Sequence, residues 1–187
     1  MTLHATETEL VDRIKQGESA AMKELYDRHI RYLTAVASRY VDDSLLRDVL
    51  QEGFVKIFST ITRFESRGTG SLRAWMVRIV VNVALDHLKQ NGNNIPLDAL
   101  PDIREEDVEE PPTDDIAIEE IHSLIRRLPV GYRTIFNLYV FERLGHREIA
   151  QRLGITESTS ASQLHRAKAL LARMIKEYNS QKRQHNE

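Results

Sequence analysis

The stretch HREIAQRLGITESTSASQLHRAK, residues 146–168, decides how this chain is read. Ile149, Ala150 and Leu153 fall at helical spacing and form one apolar face. Gly154 stands where a tight turn needs positive φ, Ile155 anchors that turn, and Thr156 can cap the helix that follows. A small residue in a first helix, a glycine in the turn and a capped second helix are the marks of a helix-turn-helix. In that motif the second helix enters the major groove and presents its early residues to base edges. Here these are Ser158, Thr159, Ala161, Ser162 and Gln163, followed by His165, Arg166 and Lys168. An ordinary helical hairpin with a basic, solvated face is the alternative.

Outward from this stretch the helical rhythm continues. Upstream, Ile118, Ile121, Leu124, Ile125 and Leu128 predict one helix. Pro129 suits the first turn of another, which carries Tyr132, Ile135, Phe136, Leu138 and Tyr139. The second helix of the motif is predicted over roughly Glu157–Lys176, the first over Arg147–Leu153. Residues 91–115 break the rhythm with Gly92, Pro96, Pro101, Pro111, Pro112 and most of the acidic side chains. That stretch holds too little apolar area to offset chain ordering and reads as a flexible linker.

Before it, Thr6 with Glu9 predicts a capping box opening a helix with Leu10, Val11 and Ile14, ended by Gly17. Met22, Leu25, Tyr26, His29, Leu33, Val36 and Tyr40 predict a long amphipathic helix. Asp43 or Ser44 can cap a third, with Leu45, Val49, Phe54, Val55, Ile57 and Phe58 as its apolar positions. A polar stretch with two glycines, Thr62 to Gly70, separates it from a fourth helix over about Ser71–Gln90. That helix carries Leu72, Trp75, Met76, Ile79, Val83 and Leu88, with Trp75 expected in the core. No strand alternation is evident, so the expected class is all-α. The expected organisation is a helical bundle over residues 5–90, an acidic linker over 91–115, and a second bundle with the helix-turn-helix over 116–178.

The near-neutral total of 26 basic and 28 acidic side chains hides a division. The net charge is +1 over residues 1–97, −10 over 98–120 and +7 over 121–187. A basic end set apart by an acidic strip suits a nucleic-acid-facing module on a charged tether. With no cysteine, disulfides and thiolate metal sites are excluded. The first thirty or so residues hold no apolar run like a signal-peptide core, and Met76 to Leu85, broken by Arg78 and Asn82, is too short to span a bilayer. A cytoplasmic protein without direct membrane insertion is expected.

An enzyme is not expected, nor any cofactor or metal. The seven histidines are never closer than 19 residues, which leaves no local zinc motif. Gly68-Thr69-Gly70 follows a helix rather than a strand and so is no phosphate cradle. The densest carboxylates lie in the linker, where two acids cannot be held at catalytic geometry.

The segments His146–Ala150, Leu153-Gly154-Ile155 and Ser162–Ala167 resemble region four of the bacterial extracytoplasmic-function sigma factors. Leu128-Pro129, Tyr132-Arg133 and Phe136-Asn137-Leu138 resemble the helix pair that precedes it. Independently, Leu25-Tyr26, Asp48–Phe54, Arg63-Phe64, Gly70–Trp75, Asn82 and Asp86-His87-Leu88 resemble region two. The resemblance covers both bundles in the family's order, and it implies a transcription initiation factor that brings core RNA polymerase to promoters.

That resemblance implies roles for particular residues. Asp48, Gln51 and Glu52 share a helix face at i, i+3 and i+4, and with Lys56 they would dock on core polymerase; a solvated polar face is the alternative. Arg63, Ser66 and Arg67 would lie beside the minus-ten element, where the family holds an extruded base of the melted non-template strand. The ring of Phe64 is expected in the core. Arg78, Asn82, Asp86 and Lys89 form one polar stripe on the next helix, consistent with DNA contact; a structural pair with a nearby arginine is the alternative for Asp86. Arg147 joins the helix-turn-helix residues as a contact to double-stranded minus-thirty-five DNA. An anti-sigma factor is implied as a further partner, and the acidic linker would either thread into the polymerase or act as a solubilising spacer.

The chain also departs from the family's pattern. Ala161 stands where a basic residue is usual, Ser158 where glycine is frequent, and Ser160 where a buried valine is common. Arg143 and Gly145 replace the usual glycine and serine ahead of the motif. A stand-alone regulator with a similar reader is the rival; it would not require Asp48–Phe54 and would bind DNA without polymerase.

Overall fold

A computed structural model describes residues 6–90 and 116–185, and among these every regular element is helical. The chain divides into two compact units, residues 1–92 and 93–187. The linker reading of residues 91–115 lies outside the described residues.

The first unit holds α1 (Glu7–Lys15), α2 (Ser19–Ala37), α3 (Asp43–Thr60) and α4 (Ser71–Gln90), with a 3-10 turn at Ile61–Arg63. The capping box forms as expected: Glu9 N donates to Thr6 Oγ1 at 3.2 Å and Thr6 N donates to Glu9 Oε2 at 2.8 Å. Gly17, at φ +82°, turns the chain into α2. The cap of α3 corrects the expectation, because its N-cap is Asp42, whose carbonyl accepts from Leu45 and Leu46. Leu25, Leu33, Val36, Val49, Ile57, Leu72, Met76, Val80 and Val83 close the core. α3 approaches α4 closely at Gly53, where a Cβ would lie a tight 3.1 Å from Val80 Cγ2.

The second unit holds α5 (Ile118–Arg126), α6 (Val130–Val140), α7 (His146–Leu153) and α8 (Glu157–His185). The first three pack on α8 through Leu124, Ile125, Tyr132, Ile135, Leu138, Ile149, Leu164 and Ala167. Pro129 is the N-cap of α6 rather than a member of its first turn. α8 runs nine residues beyond the expected Lys176, and nothing from Glu177 to His185 is glycine or proline.

Several expected apolar positions do not face the core, Tyr26 of α2 (42% exposed) and Tyr139 of α6 (38%) among them. Ile118 is 67% exposed at the first residue of α5, and Ile116 is buried instead. Val55 on α3 is 62% exposed. No described helix is long and apolar enough to cross a membrane.

Candidate functional site

Each unit carries a distinct surface. In the first, a cleft of about 330 Å³ opens where the 3-10 turn and the loop after it meet the start of α4. Arg63, Phe64, Glu65, Arg67, Ser71, Ala74, Trp75 and Arg78 line it. Phe64 is buried as expected, yet its ring meets Trp75 at 5.3 Å between centroids, and the pair makes the aromatic wall. Trp75 is the correction here: it is half-buried and faces this cleft, not the core. Gly68 and Gly70 at φ +105° and +80° give the loop its tight path. Ser71 Oγ accepts from the Arg67 amide at 3.1 Å, and Lys15 Nζ donates to the Phe64 carbonyl at 3.2 Å, so α1 and α4 hold the loop from both sides.

Among the described residues Arg63, Arg67 and Arg78 make no ion pair, so the cleft presents three guanidinium groups beside two aromatic rings. Guanidinium groups beside aromatic rings are suited by charge and stacking to an anionic, planar ligand. Ser66 is exposed on the same loop but outside the lining. Arg78, Asn82, Asp86 and Lys89 are all exposed along α4, which continues the surface away from the cleft. Asp86 makes no ion pair with an arginine among the described residues, so the structural-pair alternative lacks its partner.

The α3 face divides in two. Asp48 and Gln51 are exposed. Glu52 instead lies 2.7 Å from Lys56 Nζ, with its second oxygen 2.9 Å from His87 Nε2 of α4. Hydrogen bonds from Lys56 and then His87 hold the Glu52 carboxyl below the usual carboxylate range. Glu52 thus serves first as a link from α3 to α4 through His87, and Lys56 pairs with it along α3. Beside Gln51, α2 and α3 form an apolar groove of about 630 Å³. Tyr26, Ile30, Leu46, Leu50, Phe54, Val55 and Phe58 line it together with the polar Asp43, Arg47 and Gln51. Residue roles inferred from single positions missed this groove. Its signal was present in α3, where the apolar positions span a wider arc than one buried face uses.

In the second unit Gly154 adopts φ +70° and ψ +36°, as the turn demands, and Thr156 Oγ1 accepts from the Thr159 amide at 3.0 Å to cap α8. Ser158, Ala161, Ser162 and His165 are exposed on one outward face of α8; Thr159 and Arg166 are half-buried at its edges. Arg147 is exposed on α7. Gln163 departs from the expectation, because it is 2% exposed and faces the interior of the unit. Three residues after Ser160 and four before Ala167, it belongs to the helix's buried side. Lys168 is exposed but places its ammonium over the ring of Tyr139, 5.8 Å from the centroid.

The departures ahead of the motif have structural counterparts. Arg143 adopts φ +56°, the one non-glycine residue at positive φ among those described. Gly145 is the α7 N-cap and has no side chain to cap with, although its amide lies 3.4 Å from Glu148 Oε2.

The family descriptions that match are "Sigma-70 region 2" over residues 25–94 and "Sigma-70, region 4" over residues 118–171. The ECF RNA polymerase sigma-E factor of Haemophilus influenzae is 28% identical over 94% of this chain and 98% of its own length. That of Escherichia coli K12 is 28% identical over 90% of this chain and 93% of its own. Among solved structures, CnrH in complex with the cytosolic domain of CnrY aligns over 89% of this chain and 95% of its own at 20% identity, with a TM-score of 0.46.

Proposed function

The chain belongs to the sigma-70 family, in its extracytoplasmic-function group, and from that membership we propose how a sigma factor for promoter-specific initiation divides the task between its two units. The second unit reads the minus-thirty-five element, with the outward face of α8 in the major groove and Arg147 on the flanking backbone. The first unit binds core polymerase and holds the minus-ten element. Its cleft takes an extruded base of the non-template strand while the α4 stripe follows the backbone. Unstacking a base costs a few kcal/mol, which stacking and charged contacts inside the cleft offset. The observation that carries this reading is the cleft itself: three unpaired guanidinium groups facing two aromatic rings at the head of the polar α4 stripe.

Core polymerase would seat on the α2–α3 groove, with Asp48 and Gln51 at its edge giving orientation more than raw affinity. Each unit alone binds weakly, and tethering through polymerase supplies effective concentration. The family is non-catalytic and acts on a cytoplasmic polymerase, so no enzymatic role is proposed. An anti-sigma partner belongs to this proposal on the strength of family membership.

The test is run-off transcription from a promoter-selected DNA pool with bacterial core polymerase, with and without the chain. Promoter-specific transcripts that require the chain, and that fall at least tenfold with Trp75→Ala combined with Arg67→Ala, support the reading. Specific duplex binding without polymerase and no chain-dependent transcripts would favour a stand-alone regulator instead.

A further inference from the structure

The recognition helix is held at two points by one aromatic stack. Ser160, on the second turn of α8, is 0% exposed, and its Oγ lies 3.0 Å from His146 Nδ1 at the start of α7. The His146 ring stacks on Tyr139 at the end of α6, with centroids 5.0 Å apart and planes at 23°. Lys168, two turns further along α8, places its ammonium over that same Tyr139 ring. Ser160 and Lys168 are eight residues apart, so the two attachments are about 12 Å apart along the helix axis.

We propose that His146, Ser160, Tyr139 and Lys168 form a clamp that fixes the roll of α8 and thereby sets base discrimination; this inference rests on the reading of α8 as the promoter-contacting helix. Apolar burial alone, such as that of Leu164 and Ala167, holds a helix close but does not specify its rotation well. A hydrogen bond between a fully buried hydroxyl and a ring nitrogen does, because its loss leaves a buried polar atom unsatisfied. A roll of about 20° carries a side-chain tip roughly 2 Å, enough to lose a hydrogen bond to a base edge. Ser158, Ala161, Ser162 and His165 occupy the helix face opposite Ser160 and Ala167, so every base-facing position moves with the roll. The serine at 160 thus has a partner in this fold, and Lys168 is a positioning residue rather than a phosphate contact.

The experiment uses the full chain with core polymerase. Competition between a selected promoter and versions substituted in the upstream element is measured across a salt series. Ser160→Ala, His146→Phe (which keeps the stack and loses the hydrogen bond) and Lys168→Met are compared with wild type. The expected result is a five- to twentyfold loss of discrimination in each, with the salt slope unchanged. The Ser160→Ala/His146→Phe double variant should be no worse than either single one. If Lys168→Met instead weakens all sequences equally and lowers the salt slope by about one, Lys168 is a phosphate contact and the clamp is overturned. Unchanged discrimination in all variants overturns it as well.

Hydrogen exchange over residues 157–168 reads the clamp separately from promoter use. It should accelerate in Ser160→Ala and in Lys168→Met while exchange in the first unit stays constant; unaltered exchange overturns the clamp. Absence of wild-type transcripts, by contrast, would strike at the initiation-factor reading and leave the exchange result to decide the clamp.

Discussion

His29 shows how a single residue ties this fold to solution conditions. It sits on α2 among core side chains at 7% exposure. Burial, and then the charge of Arg73, push its imidazole below the ordinary histidine value; Glu7 opposes this and Arg28 adds to it. The unfolded chain therefore accepts a proton near pH 6.5 that the native state resists. Stability is full above that pH and falls as the pH drops through it towards the lower native value. Urea unfolding of the chain between pH 8 and 5 should show a falling midpoint below about pH 6.5. His29→Gln should flatten that limb, and an unchanged limb would place its origin elsewhere. Gly53 makes a second residue-scale prediction. Because Val80 is fully buried and packed, Gly53→Ala should destabilise the first unit by about 1–2 kcal/mol through overpacking, despite alanine's better helix propensity. A rise in melting temperature would show that Val80 yields.

Elements matter here mainly through how they begin and how they are braced. α8 starts on Thr156, whose hydroxyl accepts from the Thr159 amide within the very turns that would face DNA. Thr156→Ala should cost about 1 kcal/mol and let the first turn fray. Amide exchange at residues 157–160 checks this directly, and unaltered protection would mean that packing of Ser160 alone holds the turn. The Glu52–His87 contact braces α3 against α4, and Lys56, one turn along α3, holds the Glu52 carboxylate from its own helix. Since the Glu52 carboxyl is held below its ordinary value, its contribution is present above about pH 4.5 and is lost as the pH falls through the lower native value. Glu52 is well exposed, so solvent screening keeps that contribution small.

On the scale of the whole molecule, the α2–α3 groove leaves an apolar surface uncovered. Val55 projects from it at 62% exposure and contributes little to the core. Val55→Asp should change thermal stability by less than about 0.5 kcal/mol. In holoenzyme assembly it should weaken association with core polymerase at least tenfold, because a charge would be buried without a partner. Equal association of variant and wild type, measured by gel filtration or fluorescence, would remove the groove from the docking surface.

Much of this architecture was legible from local pattern alone. Apolar periodicity placed the eight α-helices of the described residues, Thr6 with Glu9 and Gly154 marked the start of one helix and the end of another, and the motif from His146 to Lys168 disclosed the helix-turn-helix. These are near-neighbour properties of the backbone and of side-chain spacing, and they need no knowledge of the packed partner. Tertiary structure decided which side of a helix met a partner and which met solvent. It turned Trp75 from core to cleft wall, left Val55 outside, sent Gln163 inward and gave Glu52 to His87. It also brought Tyr139, His146, Ser160 and Lys168 together across three helices. Such outcomes depend on the rotation of each helix about its axis and on close approach between segments distant in sequence, and spacing along one helix carries no information on either.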